Sequence, residues 1–190
     1  MIIKSTKITD FQRNNKELEI FWIFGLFVAG KNADYANKCL TELLKDIEEP
    51  FEYFKSLGKI GIEDALRKVK VGQYNRLTKA IWESLNVNLK TCNLDELLNI
   101  HGVGPKTARF FLLHSRENCD CAVLDTHILS WMKNNGTEDV PKVTPQNTKI
   151  YKKLEEQFLS MIKDKFPTKS VAEIDLLLWM TQSGRTEVIH

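Results

Sequence analysis

No apolar stretch in the chain could cross a bilayer. The longest, Ile20 to Gly30, is 11 residues, against the roughly 20 that a membrane helix needs. No cationic segment followed by an apolar one precedes it, so a soluble, intracellular protein with no membrane partner is expected. Cysteine is scarce: Cys39, Cys92, Cys119 and Cys121 are too few and too irregularly spaced for a disulfide framework, and a chain of this length can fold on its own core. Cys119-x-Cys121 with His114 or His127 is a thin candidate for a metal site. There is no second pair at zinc or iron–sulfur spacing, so no metal is expected. With only five prolines and nine glycines, nothing reads as a linker or low-complexity tail. Neither sign of charge dominates, since 27 Lys and Arg face 25 Asp and Glu. Any surface for a polyanion must therefore be a local patch.

Runs of alternating β-branched residues are also missing, and apolar residues recur at helical spacing almost everywhere. An all-α fold follows. Lys16 to Gly30 is so uniformly apolar after its charged first turn that it should be buried on nearly all sides as the central helix. Amphipathic segments follow at 32–46, a short one through Phe54 after Pro50, and others at 62–69, 74–85, 94–100, 104–116, 125–133, 146–163 and 170–183. Ser170 with Glu173 three residues on is a capping-box pattern at the start of the last. Between Arg67 and Lys79 lie five cations (Arg67, Lys68, Lys70, Arg76, Lys79) and no acid; taken alone, such a run reads as a solvated face.

Chemistry is concentrated in Leu97-Leu98-Asn99-Ile100-His101-Gly102-Val103-Gly104-Pro105-Lys106-Thr107-Ala108. Two glycines around one small apolar residue let the backbone reverse and approach another surface closely. Pro105 suits the first position of a helix. The open amides there, reinforced by the macrodipole, would hold an anion such as a phosphate.

This string resembles the helix-hairpin-helix of the endonuclease III superfamily of DNA glycosylases, with a pattern close to L-x-x-h-x-G-V-G-x-K-T-A. In the strand-cutting branch the Lys of the string is the nucleophile and an Asp in h-D-x-H follows just under twenty residues later. Here Lys106 is followed at 19 residues by Asp125 in Val123-Leu124-Asp125-Thr126-His127. The resemblance thus implies that Lys106 attacks the anomeric carbon and Asp125 stabilises the positive sugar. An amine must be neutral to attack, and a partly desolvated Lys at a helix start is suited to lose its proton. The competing reading makes Lys106 a solvent cation and Asp125 an ordinary helix cap. His101, Gly102, Val103, Gly104 and Thr107 would contact the DNA backbone.

The resemblance extends along most of the chain. Val71-Gly72-Gln73-Tyr74-Asn75 with Lys79-Ala80-Ile81 is similar to the segment whose residue after Gly enters the duplex beside the expelled nucleotide, which implies DNA contact by Gln73 and Tyr74; an uncommitted turn is the alternative. Gly30-Lys31-Asn32 stands where a second probing residue is carried, and Lys31 or Asn32 would serve unless Asn32 simply caps the next helix. Ala172 to Arg185 resembles the ending of archaeal-type 8-oxoguanine DNA glycosylases, which implies that Asp175 and Trp179 build the pocket for the damaged base; core packing of Trp179 is the alternative. Those enzymes finish in a lysine, whereas this chain has Val188 there and continues to Ile189 and His190. The iron–sulfur loop of endonuclease III is absent, which favours the oxoguanine branch.

The fold implied is two helical lobes with a cleft between them, residues 30–130 forming the lobe that holds the hairpin and residues 1–29 with 131–190 the other. The activity implied is removal of 8-oxoguanine from double-stranded DNA and cleavage at the resulting abasic site through a lysine Schiff base. No cofactor is required, and a monomer in a prokaryotic cytoplasm, at the nucleoid, is expected. Two alternatives stand beside it: the same chemistry on oxidised pyrimidines, and a non-catalytic DNA-binding module.

Overall fold

In a computed structural model, which describes residues 3, 4 and 6–184, the first helix starts at a reciprocal cap. The Asn14 side chain accepts from the Glu17 amide and the Glu17 carboxylate accepts from the Asn14 amide. From there α1 (Asn15–Val28) runs through the interior with Leu18 and everything from Ile20 to Phe27 buried, as its unbroken apolar surface requires. The chain continues through α2 (Ala33–Leu43), α3 (Pro50–Lys68), α4 (Tyr74–Ser84), α5 (Leu94–Leu98), α6 (Pro105–Ser115), α7 (Thr126–Asn134), α8 (Thr148–Lys165) and α9 (Val171–Gln182). Every regular element among the described residues is a helix, so the all-α expectation holds. None is long and apolar enough to cross a membrane.

Local signals account for most of the boundaries. Ser170 and Glu173 form the expected capping box on α9. In α3 the two short helices read from the sequence are continuous apart from one bend at Gly58, whose φ of 62° and ψ of 176° lie in a region open essentially to glycine alone. The basic run is mostly solvated, with Arg67, Lys68, Lys70 and Lys79 exposed. Arg76 departs from it by turning inward.

Buried apolar residues form two clusters. The larger joins α1 to α2, α3, α4, α5 and one side of α6; the smaller joins Leu113 to α7, α8 and α9. The buried residues of α1 belong to the larger cluster. Being apolar all round, α1 is packed by α2, α3, α4 and α6 together.

Helix α6 is shared by both clusters, with Ala108, Phe111 and Leu112 in one and Leu113 in the other. Its Arg109 makes a two-pronged, buried ion pair with Glu155 of α8, at 2.7 and 2.8 Å, and the guanidinium also lies 4.3 Å from the centre of the Tyr151 ring. Glu155 accepts from the Ala122 amide, and the Tyr151 hydroxyl donates to the Ala122 carbonyl while accepting from the Leu124 amide. The segment leading into α7 is therefore tied to α8 residue by residue. Arg109→Met should leave the Glu155 carboxylate buried without its partner and cost about 3–5 kcal/mol in denaturant unfolding. A change within experimental error would show that the pair does not hold α8 to α6.

Candidate active site

Gly104 is the N-cap of α6 and offers no side-chain cap, while Pro105 takes the first helical position. The start of α6 is thus an open, partly positive end. Within the hairpin the His101 amide donates to Glu83 and the Val103 amide to the Ile100 carbonyl. The amides of Gly102 and Gly104 donate to no described residue. Gly102 needs to be glycine twice over. Its φ is 72°, and a Cβ would sit 2.5 Å from Cγ of Arg76. That Arg76 side chain cannot swing aside cheaply, because its guanidinium is bound to the Gln73 side chain (2.6 Å) and to the carbonyls of Leu26 (2.8 Å) and Gly102 (3.2 Å).

Asp125 ends the tethered segment and caps α7, its Oδ1 accepting from the amides of His127 (2.8 Å) and Ile128 (2.9 Å). Capping is therefore one of its roles, as the plainer sequence reading had it. It is compatible with a second, because Asp125 and Lys106 line one cavity together with Thr107, Phe24, Gly25, Phe110, Asp175 and Trp179. No direct ion pair joins Lys106 to Asp125 among the described residues. Burial raises the Asp125 carboxyl above the ordinary carboxylate range; the Ile128 amide and then the Lys106 charge oppose this, and the Asp175 charge adds to it.

The cavity opens into a groove of about 910 Å³ lined by Lys31, Asn32, Gly102, Gly104, Lys106, Thr107, Asp125, His127, Trp179 and others. Most of the residues singled out in the sequence thus meet at one place. Four do not line it. His101 is exposed beside the turn, Val103 is buried in the larger cluster, Tyr74 packs on that cluster under the Arg67 guanidinium, and Gln73 is exposed at the rim, bonded to Arg76. Asn32 spends its side-chain oxygen capping α2, on the amides of Asp34 and Tyr35. Lys31 is the more available of the pair: its Nζ is buried with no hydrogen-bond partner among the described residues, and burial, then the Arg76 charge, push its ammonium below the usual lysine range. Arg185, Val188, Ile189 and His190 of the C-terminal comparison lie outside the described residues.

Several lining residues carried no motif. Gly25 lies at the cavity with Phe110 3.5 Å from where its Cβ would be. A glycine inside an otherwise apolar helix costs about 1 kcal/mol relative to alanine, and that was the available signal. Ile8 comes from the N-terminal segment, which the sequence comparison left uncovered. His114, weighed only as a metal ligand beside Cys119 and Cys121, is bonded instead to Thr9 and Asp175, while the two thiols lie 3.4 Å apart.

No protein-family model matches the chain. Its fold is that of solved DNA-repair glycosylases. An 8-oxoguanine glycosylase/lyase of Methanocaldococcus jannaschii in complex with a 15mer DNA containing 8-oxoguanine superposes with a TM-score of 0.72 at 22% identity, over 95% of this chain and 87% of that one. The 8-oxoguanine DNA glycosylase of the same organism gives 0.70 and 22%, over 94% and 84%. That of Thermotoga maritima gives 0.70 and 22%, over 95% and 87%. What the likeness establishes is a shared all-helical architecture spanning nearly the whole chain.

Gly102→Ala should lower stability by about 1–2 kcal/mol from the left-handed backbone alone, read as a shift of the urea midpoint. An unchanged midpoint would mean that the hairpin and Arg76 rearrange freely.

Proposed function

We propose that the protein removes 8-oxoguanine from double-stranded DNA and then cuts the strand at the abasic site through a Schiff base on Lys106. The observation that carries this is the meeting of Lys106 and Asp125, from the starts of two successive helices, in one cavity that also holds Asp175 and Trp179. Support for the substrate comes from the solved structures of the same fold, one of which is in complex with DNA containing 8-oxoguanine.

A base in a duplex is reached only by swinging its nucleotide out of the stack. The open amides of Gly102 and Gly104 suit a backbone phosphate, and Lys31, whose Nζ has no partner among the described residues, suits a DNA acceptor. Gln73 stands at the rim where a side chain could fill the vacated stack. Inside, Trp179 offers a face for stacking and Asp175 an acceptor for N–H groups of the base.

The reaction then runs in balanced steps. Nζ of Lys106, as the free amine, attacks C1′ of the deoxyribose. The C1′–N9 bond breaks, its electron pair leaving with the base, which takes up a proton. Charge that builds on the sugar faces the Asp125 carboxylate, in a site where burial strengthens the attraction. The bonded nitrogen gives up one proton, and the C1′–O4′ bond then breaks with its electron pair going to O4′, which takes up a proton from water; this leaves the protonated C=N bond of the Schiff base between C1′ and Nζ. Loss of a C2′ proton then expels the 3′ phosphate, which cuts the strand.

Borohydride added during turnover should reduce that C=N bond and leave a covalent protein–DNA adduct, absent in Lys106→Gln. DNA binding with neither adduct nor base release would reduce the protein to a binding module.

Asp125→Asn should slow base release by about 100- to 1,000-fold while sparing DNA affinity; near-normal turnover would remove Asp125 from the mechanism. Because Asp125 acts as the carboxylate and its pKa is raised, kcat/KM for base release should fall as pH drops through a limb lying above the ordinary carboxylate range. A profile flat down to that range, or a limb that persists unchanged in Asp125→Asn, would contradict the assignment.

A further inference from the structure

His114 sits in the last turn of α6, fully buried, and takes no part in the steps above, yet both of its ring nitrogens are bound. Nε2 is 3.1 Å from Oδ2 of Asp175 on α9, and Nδ1 is 2.8 Å from the hydroxyl of Thr9 in the N-terminal segment. A carboxylate oxygen only accepts, so Nε2 donates to Asp175, and Nδ1 pairs with the Thr9 hydroxyl. The His114 carbonyl is held in turn by the Asp10 amide at 3.1 Å and the Arg13 guanidinium at 2.8 Å. Phe110, one turn earlier on α6, meets the imidazole edge-on with ring centres 5.2 Å apart.

The neighbours of this ring are walls of the cavity. Ile8 (next to Thr9), Phe110 and Asp175 all line it. His114 therefore stands directly behind the end of the cavity where an acceptor is placed, and it joins the N-terminal segment, α6 and α9 at that point. We propose that His114 is a positioning residue for base recognition. By binding Oδ2 it fixes the Asp175 carboxylate as an acceptor whose Oδ1 meets an N–H on the edge of the extruded base. Thr9, bonded to the other ring nitrogen, holds the ring in the orientation that makes this bond.

The proposal rests on the cavity being the base pocket, so its test separates a step that needs a base from one that does not. Single-turnover release of 8-oxoguanine from a defined duplex is compared with borohydride trapping on a duplex carrying a preformed abasic site. His114→Leu keeps the bulk and removes the donor; His114→Gln keeps an N–H donor; Thr9→Val removes only the hydroxyl.

Leaving the Asp175 carboxylate without its partner should slow base release in His114→Leu by about 10- to 100-fold, with abasic-site trapping held within about twofold of wild type. His114→Gln should recover most of the loss, and Thr9→Val should show a smaller loss of the same kind. Wild-type base release by His114→Leu, a proportional fall in both steps, or a His114→Gln variant as slow as His114→Leu would overturn the proposal. Should His114→Leu not fold, Thr9→Val decides: slower base release with unchanged trapping supports the role, and wild-type rates of both overturn it. A wild-type protein that neither releases base nor is trapped would instead remove the base-pocket reading, and this role with it.

Discussion

Helix α6 is the constraint on which the site depends. One side of it is packed into the larger hydrophobic cluster through Ala108, Phe111 and Leu112, and Leu113 enters the smaller, so it cannot shift without disturbing both. Along its length it carries the parts of the site in order. Its N-terminal turn presents Lys106, Phe110 forms a wall one turn on, and His114 near its end braces Asp175. Arg109, on a further face, ties it to α8. Because interiors are close-packed and stiff, a side chain anchored on such a helix is held to its place far better than one on a loop.

The electrostatic design follows from burial. Two carboxylates, Asp125 and Asp175, share a cavity with one lysine: the Asp175 charge adds to the upward push on the Asp125 carboxyl, and the Lys106 charge opposes it. In free protein this costs ionisation free energy. A sugar that becomes positive would relieve it, which is the direction a glycosidic cleavage requires. At the groove a mirror situation holds for cations. Lys31 is buried beside Arg76 with its Nζ unpartnered among the described residues, and an anionic backbone is the kind of ligand that relieves it. The strain on Lys31 is held in place, since Arg76 is locked on Gln73, Leu26 and Gly102.

What could be read from the sequence was what is local. The burial of α1 followed from its unbroken apolar run, the start of α9 from Ser170 and Glu173, and the turn before α6 from two glycines and a proline, each decided by residues within a few positions of one another. Lys106 and Asp125 were singled out because the motif fixes their separation along the chain. His114 was not readable in this way: its partners lie 105 and 61 residues away, and a histidine in an apolar helix looks the same whether it braces a carboxylate or fills space. Arg76 was lost among solvated cations for a similar reason, since only the folded chain brings the carbonyls of Leu26 and Gly102 to it. Asn32 and Asp125 show the converse, where the plain reading as helix caps was correct for both and excluded a further role for neither.

The proposed chemistry requires Lys106 and Asp125 to act on one deoxyribose. Mass spectrometry of the protein trapped by borohydride on a duplex containing 8-oxoguanine, after proteolysis and nuclease digestion, reads which side chain bonded to the sugar. A reduced sugar adduct on the peptide that contains Lys106 is the predicted result. An adduct on Lys31 or another lysine instead, or release of the base with no adduct at all, would contradict it.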